Sequence, residues 1–157
     1  MRTILVIDTK KIHCASMSWT KDAREALDAA GYRRGGARAA VVDLLSRQNC
    51  CLSAQDIHDQ LRKARRPVGI ASVYRALEAL ADLRLVKRVD AGDGIARYEP
   101  ATADGEHHHH LVCRDCGKVE AFSDSRLERA IDRVAGGLGY SVEEHEVVLL
   151  GACADCS

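Results

Sequence analysis

Two Cys-x-x-Cys pairs constrain this chain of 157 residues more than any other feature of its sequence. The first pair is Cys113 and Cys116, and the second is Cys153 and Cys156. A two-residue spacing lets both thiolates of a tight turn point at one ion, and four sulfur ligands are typical of tetrahedral zinc. Because the protein fills all four positions, the sequence predicts a closed, structural Zn²⁺ site that holds the last strand to the first turn.

The number of cysteines also bears on where the protein works. The chain has seven cysteines and no recognisable secretion signal, which argues against a disulfide framework, because the cytosol keeps thiols reduced. The longest apolar run near the start, Ile4–Ile7, is far too short to span a bilayer. We therefore expect a cytoplasmic protein that contacts no membrane. Residues 1–16 are expected to be a non-native or disordered extension, since Met17 begins a more natural helix.

Helical patterns dominate the first part of the chain. The first predicted helix covers residues 20–30, with Thr20 as its N-cap and Gly31 as the residue that ends it. The second covers residues 37–47, whose apolar side chains fall on one helical face. The two helices are joined by the basic, glycine-broken segment YRRGGAR.

Two further helices and a hairpin complete this half. Ser53 begins the third helix with an S-x-x-D pattern resembling a capping box, and Pro67 ends it. Gly69 opens the fourth, with an apolar stripe at Val73, Leu77 and Leu80. The segments LVKRVD, AGDG and IARYE then predict a strand, a turn and a strand. Three helices followed by a two-stranded hairpin are the order of a winged helix-turn-helix, preceded here by an extra helix.

A change of composition marks a domain boundary after Glu99. The linker PATADGE follows, and the balance of charge reverses: residues 17–100 carry 15 Lys and Arg against 11 Asp and Glu, whereas residues 101–157 carry 5 against 11. We predict an α+β protein with a winged-helix domain at 17–99, a linker at 100–106 and a second domain at 107–157. The second domain has strands around the RDCG turn, one helix and a final strand over 140–153, and its few apolar residues call for a metal or a dimer partner.

Four consecutive histidines, residues 107–110, lead into the first Cys-x-x-Cys pair. In an extended segment, side chains alternate between two sides, so that His107 and His109 face one way and His108 and His110 the other. One run of histidines is therefore able to serve two separate metal sites. Two other residues have ordinary explanations: His145 suits a strand surface, and Glu128 completes a capping box with Ser125.

These motifs together resemble the ferric uptake regulator (Fur) family of bacterial metal-dependent repressors. The resemblance runs over residues 20–156 and rests on four segments: GIASVYRALEALADLRLVKR, RYE, HHHHLVCRDCGKVEAF and SVEEHEVVLLGACADC. It implies a DNA-binding winged-helix domain and a metal-binding dimerisation domain. It also implies that the four paired cysteines hold structural zinc.

The resemblance implies two more metal sites. The regulatory site at the hinge between the domains has the ligands Cys51, Glu99, His108 and His110. The second site, inside the dimerisation domain, has the ligands His107, His109, Glu128 and His145. Cys51 stands where the family typically has a histidine, and its softer thiolate favours zinc or a sensitivity to oxidation over a site of nitrogen and oxygen ligands alone. Glu99 with two histidines is the pattern of an iron sensor, and zinc-sensing relatives often have an acidic residue where this chain has Lys87. Zn²⁺ and Fe²⁺ both remain candidates for the regulatory metal.

The resemblance also assigns DNA contacts. The recognition helix corresponds to residues 72–80, in which Tyr74 is suited to a thymine methyl group and Arg75 to a phosphate or base edge. The residues it implies as DNA contacts are Arg33, Arg34, Arg38, Ser72, Tyr74, Arg75, Lys87 and Arg88. The helix bearing Arg38 lacks the family's usual threonine cap, because Gly35, Gly36 and Ala37 precede it.

The predicted function is that of a homodimeric, metal-responsive repressor that binds palindromic double-stranded DNA operators and controls zinc or iron homeostasis genes, without enzymatic activity or a small-molecule substrate. One alternative is a zinc-dependent hydrolase or deaminase. Deaminases pair H-x-E with P-C-x-x-C, and neither Cys-x-x-Cys pair here follows a proline. A second alternative is a zinc-buffering or protein-interaction module, against which the hairpin and the arginine-bearing helix argue.

Overall fold

The computed structural model of the protein describes residues 17–33, 36–48, 50–101 and 108–157. These residues belong to two compact units, one within residues 17–101 and the other within residues 108–157. The predicted extension at residues 1–16 and most of the predicted linker lie outside the described residues, so the domain boundaries stay a prediction. Within the described ranges, no helix is long and apolar enough to cross a membrane.

Four helices build the first unit. They are α1 (Met17–Ala29), α2 (Gly36–Leu45), α3 (Ala54–Lys63) and α4 (Ile70–Asp82). The prediction that Thr20 caps α1 is wrong, because the helix begins three residues earlier. The reason is tertiary: Trp19 is buried, and its indole Nε1 donates a hydrogen bond to the carbonyl oxygen of Leu85 at 2.8 Å. Gly31 follows the helix with a φ of 82°, the left-handed conformation expected at a helix end.

The predicted start of α3 is confirmed. The Ser53 hydroxyl accepts a hydrogen bond from the backbone N–H of Asp56 at 3.1 Å, and the Asp56 carboxylate accepts one from the backbone N–H of Ser53 at 3.0 Å. This reciprocal pair satisfies two N–H groups that the first turn of a helix leaves without a partner. It fixes where α3 begins relative to α4.

The apolar stripe predicted on α4 is confirmed as the centre of the core. Val73, Leu77 and Leu80 are fully buried, and they pack with Val41 and Leu45 of α2 and with residues of α1 and α3. Burying one face of α4 leaves the opposite face exposed, with Tyr74 and Arg75 among its residues. The core therefore determines which side of the recognition helix is available to a ligand.

A three-stranded antiparallel sheet follows the helices and will be called the wing sheet. Its strands are β1 (Leu52–Ser53), β2 (Val86–Asp90) and β3 (Ala96–Pro100), in the order β1-β3-β2. The hairpin of β2 and β3 was predicted, and the winged-helix architecture is confirmed. The two-residue β1 was not predicted, because a strand this short shows no periodicity.

The second unit is a smaller α+β arrangement. Its elements are β4 (His109–Cys113), β5 (Val119–Phe122), α5 (Ser125–Gly137) and β6 (Val148–Gly151). The strand order is β5-β4-β6, in which β5 runs antiparallel and β6 parallel to β4. The final strand is shorter than predicted, since residues 140–147 do not join the sheet. The α+β fold class is confirmed.

Helix α5 carries an apolar stripe that the second unit does not cover. Leu127, Ile131, Val134 and Leu138 recur at helical spacing, yet no residue of this fully described helix is buried. Val134 is 64% exposed and Leu138 is 71% exposed. This stripe is therefore a candidate interaction surface.

The buried position of Leu77 supports a stability prediction. Leu77 has no exposed surface, so Leu77→Ala removes buried contacts and leaves a cavity, with an expected cost of about 3 kcal/mol in the free energy of unfolding. Urea unfolding followed by the fluorescence of Trp19, the single tryptophan, measures this unit directly. Ile95→Ala, at a wing position that is 48% exposed, serves as the control and should cost less than about 1 kcal/mol. Equal losses in the two variants would contradict the assigned core.

Candidate metal centres and DNA-binding surface

The four paired cysteines come together at one end of the second unit. The first pair flanks the turn after β4, where Gly117 adopts a φ of 73°, and the second pair follows β6. The sulfur atoms of Cys116 and Cys153 lie 3.8 Å apart, and one ligand atom from each of the four residues lies within 4.8 Å of the others. Because β6 runs parallel to β4, the two turns leave the sheet at the same edge.

This sulfur cluster fits a zinc ion. Tetrahedral zinc with bonds of roughly 2.3 Å separates its sulfur ligands by roughly 3.8 Å. The observed Cys116–Cys153 separation of 3.8 Å matches that value. The four cysteines are therefore suited to hold a structural zinc ion, and their chemistry leaves no coordination position for a substrate.

The thiols differ in how readily they lose their protons. Backbone N–H groups of Cys116, Cys153 and Asp115 lower the pKa of Cys113 to about 6, so that this thiol is ionised at neutral pH. Contacts with the thiols of Cys153 and Cys116, together with burial, raise the pKa of Cys156 to about 12. Zinc ligation therefore requires Cys156 to give up a proton, which makes the cluster's zinc affinity fall as the pH falls.

Glu128 does not belong to the capping box predicted for it. The N-cap of α5 is Asp124, one residue earlier than predicted, and its carboxylate accepts hydrogen bonds from the backbone N–H groups of Arg126 at 2.7 Å and Leu127 at 3.3 Å. Asp124 therefore satisfies the end of the helix, and the capping explanation of Glu128 is wrong. The Glu128 side chain is available for another role.

Glu128 instead joins two histidines. Its carboxylate oxygens lie 2.7 Å from Nε2 of His109 and 2.9 Å from Nε2 of His145. His109 is completely buried, with its ring against Phe122 and His145. One nitrogen or oxygen atom of each of the three lies within 4.8 Å of the others, and this donor set suits a divalent cation. The predicted fourth ligand, His107, lies outside the described residues.

The His109 ring also accepts a hydrogen bond at its other nitrogen, Nδ1. The backbone N–H of Val147 donates to Nδ1 at 3.3 Å, which assigns the ring proton to Nε2, where it faces Glu128. A cation bound at Nε2 would require this proton to move to Nδ1 and the Val147 contact to break. Glu128 thus holds the cluster together by hydrogen bonds as well as offering a metal ligand.

His108 and His110 form a separate pair. Their ring centroids are 5.0 Å apart in an edge-to-face arrangement, while His109 between them packs against Phe122. The alternation predicted for these three histidines is confirmed. The second unit therefore presents two imidazoles side by side for a site other than that of His109.

Cys51 and Glu99 are neighbours across the strand pairing of the first unit. The pairing of β1 with β3 sets Leu52 opposite Tyr98, and continuing the same pairing by one residue sets Cys51 opposite Glu99. Both side chains are buried. A hydrogen bond with the Cys50 thiol raises the pKa of Cys51 well above its ordinary range, and burial and the negative charge of Glu99 act in the same direction. A cation at this position would have to replace the Cys51 proton.

Cys50 was not among the predicted ligands. Its contact with Cys51 makes it the immediate neighbour of a candidate ligand. The doublet CC was the available signal in the sequence, but adjacent residues of a strand usually face opposite sides, which made a shared role for both thiols hard to predict.

The exposed face of α4 supplies the candidate DNA contacts. Tyr74 is 50% exposed and Arg75 is exposed. An Arg75 guanidinium nitrogen donates to the Ser72 hydroxyl at 3.2 Å, which orients the arginine along the helix. The N-cap of α4 is Gly69, which has no side chain to accept hydrogen bonds from the first turn. Backbone N–H groups of that turn are therefore suited to bind a phosphate.

The remaining predicted DNA contacts differ in their surroundings. Arg33 is exposed in the connection after α1, and Arg34 lies outside the described residues. The Arg38 guanidinium carbon lies 4.4 Å from the centre of the Tyr32 ring, so this arginine already makes a cation–π contact. Lys87 and Arg88 are neighbours on β2 and face opposite sides of the wing sheet.

Comparison with known proteins agrees with this architecture. The sequence profile described as "Ferric uptake regulator family" matches residues 29–150. The Ferric uptake regulation protein of Bacillus subtilis is 31% identical over 136 residues, which cover 85% of this chain and 91% of that protein. The Zinc uptake regulation protein of Mycobacterium tuberculosis is 36% identical over 131 residues, covering 83% and 98%.

A solved structure is similar over most of its length. The ferric uptake regulator of Helicobacter pylori, whose structure is described as revealing three functional metal binding sites, superposes with a TM-score of 0.75 at 27% identity. The match covers 88% of this chain and 91% of that chain.

Proposed function

The chain belongs to the ferric uptake regulator family, and from this premise we propose that it is a homodimeric repressor whose binding to palindromic operators depends on a divalent cation. Members of the family are DNA-binding, dimeric transcription regulators of metal homeostasis, so the chain is a metal-responsive regulator and not an enzyme. The hydrolase or deaminase and zinc-buffering alternatives are not favoured. We assign its site of action to the cytoplasm.

The proposed domains follow the two functions. Residues 17–99 are the DNA-binding domain, 100–106 the linker and 107–157 the metal-binding dimerisation domain. The stripe on α5 supports dimerisation, because an exposed apolar face as large as that of Val134 and Leu138 is stabilised by a second copy of the same helix.

One observation carries the proposal: the pairing of β1 with β3 that brings Cys51 beside Glu99. Glu99 lies on β3, the strand that also forms one side of the wing hairpin. A pair of metal-ligand residues is thus part of the element expected to touch DNA. Occupancy of these residues and the position of the wing are therefore linked through one short strand.

The proposed regulatory ligands are Cys51 and Glu99 from the DNA-binding domain and His108 and His110 from the dimerisation domain. Their shared Zn²⁺ or Fe²⁺ ion would supply a positive charge that draws the two pairs of ligands together. A dimer reads a palindrome only when its two recognition helices are spaced to match the half-sites. Ligands drawn from both domains would fix that spacing and couple metal binding to operator binding.

The other two sites have supporting roles in the proposal. Cys113, Cys116, Cys153 and Cys156 hold structural zinc and complete a domain with little core of its own. His109, Glu128 and His145, with His107 as the fourth ligand, hold a second cation inside the dimerisation domain. Their hydrogen-bonded arrangement supports this role because the carboxylate already reaches both imidazoles.

Selection of DNA from a random duplex pool tests the proposed function. The protein, with its cysteine-bound zinc retained, is offered the pool in the presence of buffered Zn²⁺, Fe²⁺, Mn²⁺ or Ni²⁺. We expect enrichment of a palindrome with half-sites about one helical turn apart, and only with the regulatory metal present. The metal that promotes binding at the lowest free concentration identifies the one that is sensed. Equal enrichment in chelator and in metal would contradict the proposal.

Arg75 is expected to contribute directly to operator binding. Arg75→Ala should weaken the metal-loaded protein's affinity for the selected operator by about ten- to a hundredfold, because a good arginine–base contact contributes about 1–3 kcal/mol. Fluorescence anisotropy of labelled operator measures the change. The charge-matched control is Arg84→Asn, because Arg84 follows the end of α4 at a φ of 55° that asparagine tolerates. If both variants lost affinity equally, the loss would reflect general charge and not the recognition helix.

A further inference from the structure

One face of the wing sheet places two positive side chains next to the proposed ligand Glu99. In the pairing of β2 with β3, Lys87 lies directly opposite Glu99, and Val89 lies opposite Arg97. Opposed residues, and residues two apart on one strand, share a face of a sheet. This face therefore holds a lysine, an arginine and a carboxylate in adjacent positions.

Arg97 is already paired with the carboxylate of Asp93. Arg97 donates from Nη1 to one oxygen of Asp93 at 3.0 Å and from Nη2 to the other at 2.7 Å. Arg97 is only 4% exposed, and Nη1 also reaches the carbonyl oxygen of Ile95 at 3.3 Å. These bonds draw the guanidinium toward the turn of the hairpin. Lys87 is thus the cation whose strand position faces Glu99 directly.

A buried carboxylate in this setting requires a positive partner. Glu99 is 6% exposed, and taking an ionised carboxylate out of water is costly unless another charge or hydrogen bonds compensate. Directly opposed residues of an antiparallel pair have Cβ atoms about 5 Å apart, well within reach of a lysine side chain. We propose that the Lys87 ammonium neutralises Glu99 when the regulatory site holds no cation, so that Lys87 competes with the incoming metal and sets its affinity.

The proposal rests on the proposed function, because it takes Glu99 as a regulatory ligand. In the exchange the Lys87 ammonium keeps its protons and withdraws from the carboxylate as the divalent cation coordinates it. The one proton released is that of the Cys51 thiol, which the cation replaces. The lysine thereby raises the free metal concentration at which the regulator responds. It is a residue that determines the set point of the sensor without being a ligand.

Direct metal titration of two methionine variants tests this role. Co²⁺ is titrated against a competing chelator into protein that retains its cysteine-bound zinc, with no DNA present. Lys87→Met should bind Co²⁺ about tenfold more tightly than the unchanged protein, the size expected for loss of one charge-assisted hydrogen bond. Arg88→Met removes the same charge from the adjacent residue, which is exposed and pairs with Tyr98 on the other face. It should change the affinity by less than about twofold.

Failure of the Lys87 role and failure of the regulatory ligand set give different results in these titrations. Equal affinities for Lys87→Met and Arg88→Met, or weaker binding by Lys87→Met, would overturn the role of Lys87. Glu99→Gln tests the ligand itself: if it binds Co²⁺ like the unchanged protein, the regulatory ligand set is wrong. If Glu99→Gln binds one Co²⁺ fewer per subunit but Lys87→Met is unaltered, only the competition fails. In the Glu99→Gln background, Lys87→Met should have no effect. Circular dichroism verifies folding; Lys87→Gln replaces Lys87→Met, and Arg88→Gln replaces Arg88→Met, if the methionine variant unfolds.

Discussion

Cys113→Ser should unfold the dimerisation domain and release monomeric protein. Structural zinc contributes about 10–16 kcal/mol in small zinc-finger domains, which is as large as the whole stability of a typical domain, about 5–15 kcal/mol. Among residues 108–157 the buried apolar side chains are Val112 and Phe122 together with Cys113 itself, so little else holds this unit. Zinc content, light scattering after size exclusion and thermal unfolding measure the expected losses of zinc, of the dimer and of stability.

A thiol outside the cluster provides the control for that variant. Cys50→Ser removes one thiol from the other unit and should leave the zinc content and the oligomeric state unchanged. An intact Cys113→Ser dimer with normal thermal stability would refute the structural role of the cluster. Partial zinc retention with a lowered melting temperature would still agree with it, because three sulfurs bind the ion more weakly.

His108→Ala should abolish metal-dependent operator binding while the fold and the cysteine-bound zinc persist. Replacing groups that only support a metal ligand already costs about 10- to 100-fold in metal affinity, so removing a proposed ligand should cost more. His108 is not among the buried residues, and its loss opens no cavity in a core. The expected result is operator affinity at saturating metal no higher than in chelator, measured by anisotropy with the selected duplex.

His58→Ala is the matched control, since His58 lies on α3 outside every proposed ligand set. It should retain full metal-dependent binding. Unchanged operator affinity in His108→Ala would remove this histidine from the regulatory site. Loss of the circular dichroism signal would instead show that His108 stabilises the fold.

Local patterns allowed correct predictions where the interacting groups are close in sequence. The capping box of Ser53 and Asp56 involves two residues three apart, and the stripe on α4 follows directly from helical geometry. Thr20 failed as a cap because the start of α1 depends on the contact of Trp19 with Leu85, 66 positions away. The capping role predicted for Glu128 was wrong because Asp124 and Ser125 are adjacent and both are acceptable N-cap residues. The helix uses Asp124, whose carboxylate accepts hydrogen bonds from two backbone N–H groups.

At the candidate metal centres, too, features set by local sequence were predicted and those set by strand pairing were not. Spacing alone predicted the cysteine cluster, because Cys-x-x-Cys turns carry their own geometry. The alternation of the histidines also followed from the period of an extended strand. The opposed positions of Cys51 and Glu99 depend on how β1 pairs with β3, and two residues of strand leave no periodic signal from which that pairing can be derived.

The uncovered stripe on α5 makes the population of the dimer depend on the concentration of the protein. When assembly stabilises a folded protein, its population depends on total concentration as well as on ligand, so dilution separates subunits that were stable together. Repression would then depend on the concentration of the regulator in the cell as well as on that of the metal ion. A fall in copy number would relieve repression even while the metal supply stayed constant.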